Sequence, residues 1–138
     1  LDLGHPRDAW AALDGFHERE GNSRSGSTWR WTRGRASFAW VPVPGLVPRE
    51  IVLRAKAPGK DPVRVQVRVG GAPAGSVEVL PEDFSDVPLA LVGEACARMS
   101  AGGPVRVELT APTFVPKDAG LGDDPRELGV VLDRVLVR

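Results

Sequence analysis

Hydrophobic and polar side chains alternate at every second position in three stretches of the sequence. The clearest is residues 63–69, where four valines occupy one face and three long polar side chains occupy the other. The same alternation returns at residues 105–110 and in the second half of residues 51–56. A period of two is typical of a strand that buries one face. These stretches therefore predict strands of antiparallel sheets with one face in water.

Glycine and proline residues separate further apolar stretches. Residues 70–75 contain three glycines and a proline, so they predict the turn of a hairpin whose second strand covers residues 76–80. Residues 93–99 fit either a loop or one or two helical turns, and the sequence leaves the choice open. Further strands are predicted at residues 10–18, 87–91 and 128–137.

Four aromatic residues close together in the first third of the chain favour a second hairpin. The glycine and arginine at 34–35 fit a two-residue turn with glycine first. Counting outward from that turn places Trp31 opposite Phe38, and one step further places Trp29 opposite Trp40. All four rings would then share one face, which we expect to lie in the core because soluble domains rarely expose so large an apolar patch. The alternative is an exposed face of indoles, which would suit the flat faces of sugar rings.

About eight or nine strands, joined by turns rich in glycine and proline, predict an all-β fold. No stretch shows sustained helical periodicity, and no repeat or linker divides residues 1–138 into smaller units. Two packed antiparallel sheets, a β-sandwich, are the expected solution for such a chain. Residues 1–8 are expected to form a loosely ordered tail of this single domain.

Charge and composition argue against several classes of partner. Eighteen basic and eighteen acidic side chains cancel, so no overall field favours a nucleic acid or an anionic membrane surface. No apolar run approaches the roughly 20 residues of a membrane span, so we expect no membrane insertion by this chain. Cys96 is the only cysteine and is interpreted as a packing residue.

Candidates for metal binding or catalysis are few. His17 and Glu18 would need further metal ligands from distant segments, so a solvated or ion-paired strand end is the simpler interpretation. Asp123 and Asp124 could offer oxygen ligands to a structural calcium ion, although their spacing is not that of an EF-hand. The alternative is an Asx turn at Asp124, with Arg126 paired to a nearby carboxylate. A hydrolase would require two facing carboxylates such as Glu18 and Asp124, which the sequence does not establish.

Several short segments resemble those of one protein family. They are residues 15–20, 29–32, 113–116 and 123–130. The most specific parts are Arg-Trp-Thr at 30–32 and Asp-Pro-Arg at 124–126, followed by Leu-Gly-Val at 128–130. Together they resemble the extracytoplasmic β-sandwich domain attached to bacterial multi-pass glycosyltransferases related to the dolichyl-phosphate mannosyltransferase-like, family 39 enzymes. That domain is similar in shape to jelly-roll carbohydrate-binding modules, and the resemblance spans nearly the whole chain.

The resemblance implies a jelly-roll-like accessory module outside the cytoplasmic membrane, without enzyme activity or a cofactor of its own. It would contact a glycan or lipid-linked sugar, while a membrane-embedded glycosyltransferase portion carries the transfer chemistry. The alternative is a structural or protein-interaction domain without a small-molecule ligand, which docks through its polar sheet face. If a sugar binds, the expected ligand-binding residues are Trp10 for stacking and, for hydrogen bonds, Glu18, Arg30, Arg33, Asp124 and Arg126.

Overall fold

The computed structural model describes residues 1–3 and 11–138. Within these residues the chain forms nine strands and one short helix, and every strand pairing is antiparallel. The prediction of an all-β sandwich is confirmed. The elements are β1 (Asp14–Phe16), β2 (Glu20–Asn22), β3 (Ser27–Trp40), β4 (Glu50–Lys56), β5 (Val63–Val69), β6 (Ala72–Val79), β7 (Ser85–Ala90), α1 (Gly93–Met99), β8 (Val105–Thr110) and β9 (Val131–Val137).

Two packed sheets share the long strand β3. In sheet A the strand order is β3-β9-β4-β7, and in sheet B it is β6-β5-β8-β3, with β1 also pairing with β3. The first half of β3 pairs with β9 at Arg30 and Trp31, whereas its second half pairs with β8 from Arg35 to Trp40. Strand β2 pairs with the first residues of β3. One continuous strand therefore crosses from one layer of the sandwich to the other.

The core lies between the two sheets and is built by the predicted alternation. Val65, Val67 and Val69 of β5 are buried, and the polar residues between them are exposed. Sheet A contributes Ile51 and Leu53 from alternate positions of β4. Burying an aliphatic side chain of this size contributes about 1.5–3 kcal/mol, so these rows account for much of the driving force that holds the sheets together.

The predicted turn at residues 34–35 is wrong, because both residues lie inside β3. Since side chains alternate along one continuous strand, Trp29 and Trp31 fall on the opposite side from Phe38 and Trp40. Phe38 is buried in the core and Trp40 packs against it, whereas both earlier tryptophans remain partly exposed. The two halves of β3 each find a long-range partner strand, and this pairing overrides the local turn signal.

The remaining predicted segments differ in how much of them the structure describes. Residues 1–3 of the expected tail lie along β9, where the Leu1 ammonium group donates to Val135 O at 2.8 Å and Leu3 is fully buried. The rest of that tail lies outside the described residues.

The ambiguous segment 93–99 forms the helix α1. No helix in the described part of the chain is long and apolar enough to cross a membrane.

Gly129 provides a test of how tightly the loop before β9 packs on β3. A Cβ added there would overlap Thr32 Oγ1 and lie 3.0 Å from Arg33 O. Thr32 Oγ1 cannot move freely because it is buried and accepts a hydrogen bond from Val130 N at 3.0 Å. We predict that Gly129→Ala lowers the free energy of unfolding by about 2 kcal/mol, measured by urea denaturation.

The matched control for this substitution is Gly59→Ala, because a Cβ at Gly59 would meet nothing within 4 Å. We expect its free energy of unfolding to change by less than about 0.5 kcal/mol. Equal stability of the two variants would contradict the close packing of Gly129 on β3.

Candidate functional site

An open depression of about 310 Å³ lies against sheet A. Three of its lining side chains are aromatic, and two others carry opposite charges. We call it the aromatic depression, and it is lined by Glu20, Trp29, Trp31, Lys56, Ala57, Pro58, Phe84 and Val131.

Strand register places part of this lining in one row. Trp31 pairs with Val131 of β9, and Val131 pairs with Lys56 of β4. Residues that face each other across antiparallel strands project to the same side of the sheet. Their neighbours along the strands, Leu132 and Ala55, are fully buried in the core. The row that contains Trp31 and Lys56 therefore lies on the outer face of sheet A.

A contact between two aromatic rings fixes one wall of the aromatic depression. The ring centroids of Trp29 and Phe84 are 6.2 Å apart, and the ring planes are tilted by 47°. This geometry lies within the range in which aromatic pairs attract each other. Phe84 is held in turn by its backbone N–H, which donates to Asp83 Oδ1 at 2.8 Å. This wall of the depression is therefore formed by a contact between β3 and the segment before β7.

Glu20 joins the aromatic depression to a charged cluster on the loop before β9. Arg126 Nη1 donates to Glu20 Oε1 at 2.7 Å, and Arg126 Nη2 donates to Asp124 Oδ2 at 2.8 Å. The backbone N–H of Arg126 also donates to Asp124 Oδ1 at 2.9 Å, which closes an Asx turn. The turn and its arginine–carboxylate pair are confirmed as predicted. Asp124 therefore binds Arg126, which was the predicted alternative to a role as a calcium ligand.

The guanidinium group of Arg126 controls the ionisation of this cluster. Hydrogen bonds from the Arg126 side chain, followed by that from its backbone N–H, lower the pKa of Asp124 to about 2. The same contact with Asp124, followed by that with Glu20, raises the pKa of Arg126. Asp124 and Arg126 are therefore both charged at neutral pH, which keeps the cluster intact.

A second set of hydrogen bonds ties the segment between β1 and β2 to the same loop. His17 Nε2 lies 2.7 Å from Glu127 O and must carry the proton, because a carbonyl only accepts. Arg30 Nη1 donates to His17 O at 3.0 Å. The hydrogen bonds of His17 and Arg30 thus help to position the loop before β9.

Within residues 1–3 and 11–138, no three His, Cys, Asp or Glu side chains converge in a way that could hold a metal ion.

The structure brings together only some of the predicted ligand-binding residues. Arg126 binds Glu20, which lines the aromatic depression, and Asp124 binds Arg126. Arg30 instead contacts the backbone of His17. Glu18 and Arg33 are exposed and are not among the lining residues. Trp10 lies outside the described residues, so its predicted stacking role stays a prediction.

Trp29 and Trp31 were expected in the core, and the exposed face of indoles given as the alternative is what the structure shows for these two residues. Lys56 and Phe84 were not predicted as lining residues of the same site. An available signal was the alternation from Trp29 to Thr32, which is compatible with a strand that continues past Gly34. Nothing local in the sequence indicates that Phe84 would meet Trp29.

Replacing Arg126 tests the cause of the lowered pKa of Asp124. In Arg126→Gln the guanidinium hydrogen bonds are lost, so we predict that the pKa of Asp124 rises from about 2 towards its usual 3.8. Because the folded-state pKa is lowered, the stability that Asp124 contributes is complete above about pH 4 and is lost as the pH falls through 2. The variant should lose that part of the acid dependence.

The measurement is a pH titration of the Asp124 carboxyl carbon by NMR. Arg35→Gln is the control, because Arg35 pairs at 3.6 Å with Glu108 in sheet B and should leave the Asp124 pKa unchanged. A pKa of about 2 that persists in Arg126→Gln would show that Arg126 is not its cause.

Comparison with known proteins identifies the fold. No protein-family model matches the chain, and no curated protein matches its sequence. The carbohydrate-binding module CBM36 in complex with calcium and xylotriose is similar, with a TM-score of 0.57 and 11% identity over 100% of this chain and 98% of that chain. The CBM36-1 domain of a multidomain xylanase from the hindgut metagenome of Trinervitermes trinervoides has a TM-score of 0.55 and 12% identity, covering 95% of this chain and 92% of that chain. CsCBM6-3 from Clostridium stercorarium in complex with cellobiose has a TM-score of 0.51 and 13% identity, covering 88% and 86%. The chain thus has the β-sandwich fold of these carbohydrate-binding modules.

Proposed function

We propose that this chain is a non-catalytic, carbohydrate-binding-like accessory module and that the aromatic depression is its glycan-binding surface. The observation that carries the proposal is the set of two indoles and one phenyl ring around an open depression on the outer face of a sheet. A carboxylate and an ammonium group border the same rings.

Sugar rings match this combination of surfaces. Their C–H faces are apolar and pack on flat aromatic rings, while their hydroxyl groups need hydrogen-bonding partners at the edges. The partly exposed Trp29 and Trp31 supply the apolar contact, and Lys56 and Glu20 supply polar groups beside it. Because the depression is open and has few polar groups, we expect binding to be weak.

The similar structures support the proposal through their fold. Xylotriose and cellobiose are bound to two of those modules, and both modules match this chain over most of its length. The calcium ion of the CBM36 complex belongs to that protein. For this chain we propose a sugar ligand without a metal, since Asp124 already binds Arg126.

We further propose that the module works outside the cytoplasmic membrane, beside a membrane-embedded glycosyltransferase, on a glycan or lipid-linked sugar. The support is the resemblance carried by residues 15–20 and 124–130. These two segments meet in the structure, where Glu20 pairs with Arg126. We expect the parent polypeptide or its complexes to be purified from membranes, with this domain on the outer side.

A protein-interaction domain is the second candidate, favoured by the connection between β3 and β4. Four apolar side chains of this connection are exposed, which is unusual for a surface loop and suits contact with another protein. A photocrosslinker at residue 47 that captures a partner, in a folded domain that binds no glycan, would favour this function over sugar binding. The exposed side chains are Val41, Val43, Leu46 and Val47.

We predict that Trp31→Ala weakens binding to an oligosaccharide ligand by about tenfold or more, because the variant loses the stacking surface. The ligand is first selected on a glycan array that includes xylan, cellulose and cell-envelope oligosaccharides, and affinity is then measured by calorimetry. Trp31→Phe keeps a flat ring and should lose less affinity than the alanine variant.

Val92→Ala is the control, because Val92 is 70% exposed and lies away from the aromatic depression. The preceding residue, Leu91, donates its N–H to Arg49 O, at the end of β4 opposite to Lys56. Its glycan affinity should equal that of the unmodified chain. A folded Trp31→Ala variant with unchanged affinity would move the sugar site away from the aromatic depression. A folded chain that binds no glycan on the array would reject the proposed function.

A further inference from the structure

The polar lining of the aromatic depression is dominated by hydrogen-bond donors. The Lys56 ammonium group has three N–H donors and no acceptor, and the indole N–H groups of Trp29 and Trp31 only donate. Glu20 is the one carboxylate in the lining, and it already accepts from Arg126 at 2.7 Å. The other lining side chains have no polar atoms: Ala57, Pro58, Phe84 and Val131. A ligand rich in acceptors would complement this surface best.

Lys56 forms no ion pair with the acidic residues of this region. Glu20, in the same lining, binds Arg126 at 2.7 Å, while Asp133 and Asp86 bind Arg54 at 3.0 Å and 3.4 Å. None of the ion pairs found among the described residues includes Lys56. The ammonium group therefore remains available to a ligand.

We propose that the aromatic depression selects an anionic sugar, with Lys56 binding a carboxylate or phosphate oxygen while the indoles pack on the sugar ring. This inference rests on the proposed function and specifies the class of sugar. An anion only accepts hydrogen bonds, so it fits the donor-rich lining. Charge-assisted hydrogen bonds are stronger than neutral ones, and they provide the selectivity that stacking alone lacks.

The pairing of Glu20 with Arg126 affects how the aromatic depression receives an anion. A free carboxylate at Glu20 would repel an anionic ligand in the depression. The Arg126 guanidinium binds that carboxylate at 2.7 Å and, although it is shared with Asp124, it weakens the repulsion that Glu20 exerts on an anion beside Lys56. The ion pair between Glu20 and Arg126 thus makes the depression less unfavourable to an anion than a free Glu20 would.

The test compares an oligogalacturonate with its fully methyl-esterified form, which has the same sugar chain without charge. We expect the acid to bind the unmodified chain about tenfold more tightly than the ester in low-salt buffer, and the difference to shrink as salt is added. Glucose 6-phosphate, followed by NMR, is the third probe. Its binding at Lys56 in preference to the galacturonate would assign the anion as a phosphate, and the reverse would assign it as a carboxylate.

Three variants separate charge from folding. Lys56→Gln should remove the preference for the acid over the ester, and Lys56→Arg should retain it. Arg64→Gln removes one positive charge from an exposed position in sheet B and should leave the preference unchanged. Thermal denaturation checks that each variant is folded.

The outcomes distinguish this inference from the proposed function. Equal affinity for acid and ester together with no binding of glucose 6-phosphate at Lys56, or a preference that survives in Lys56→Gln, overturns the inference while glycan binding stands. Binding of neutral oligosaccharides alone has the same consequence. If no charged or neutral glycan binds the folded chain, the proposed function fails and this inference fails with it.

Discussion

The passage of β3 from one sheet to the other is the constraint on which the rest of the structure depends. At the crossing, Thr32 pairs through its backbone with Val130 and also accepts from Val130 N through its buried hydroxyl group. The close approach leaves no room for a side chain at Gly129. On the other side, Gly15 has a φ of 73°, and a Cβ there would overlap Arg35 O. Small residues on both sides of β3 therefore allow the strand to be clamped as it changes partners.

This crossing also divides the aromatic residues of β3 between the interior and the surface. An unbroken strand keeps its alternation, so the tryptophans of its first half turn outward when Phe38 of its second half turns into the core. The outward pair then meets Phe84 and Lys56, which come from β4 and from the segment before β7. The aromatic walls of the depression are thus a direct consequence of strand topology.

The strands could be predicted from the sequence more completely than the site. Alternation within a strand is a local pattern, whereas the contacts of the site join residues that are far apart in the chain. The boundaries of β5 and β8 were predicted from alternation alone, because a half-buried strand carries its own pattern. The Asx turn at Asp124 was predicted as well, since its partners lie two residues apart. The hairpin at Gly34 failed because two distant strands, β8 and β9, outcompete a local turn. The pairing of Glu20 with Arg126 spans 106 positions, and no local pattern encodes it.

The distribution of charge around the aromatic depression follows from the same geometry. The Asx turn fixes the backbone of Arg126, and Asp124 also accepts from its guanidinium, so the side chain is held where Nη1 reaches Glu20. Arg54 is placed by β4 between Asp133 and Asp86 and binds both. Lys56 lies two residues further along the same face of β4, beside Val131 and the indoles, and the one carboxylate in that lining, Glu20, binds Arg126. The register of β4 thus places Arg54 between two carboxylates and Lys56 beside the aromatic rings.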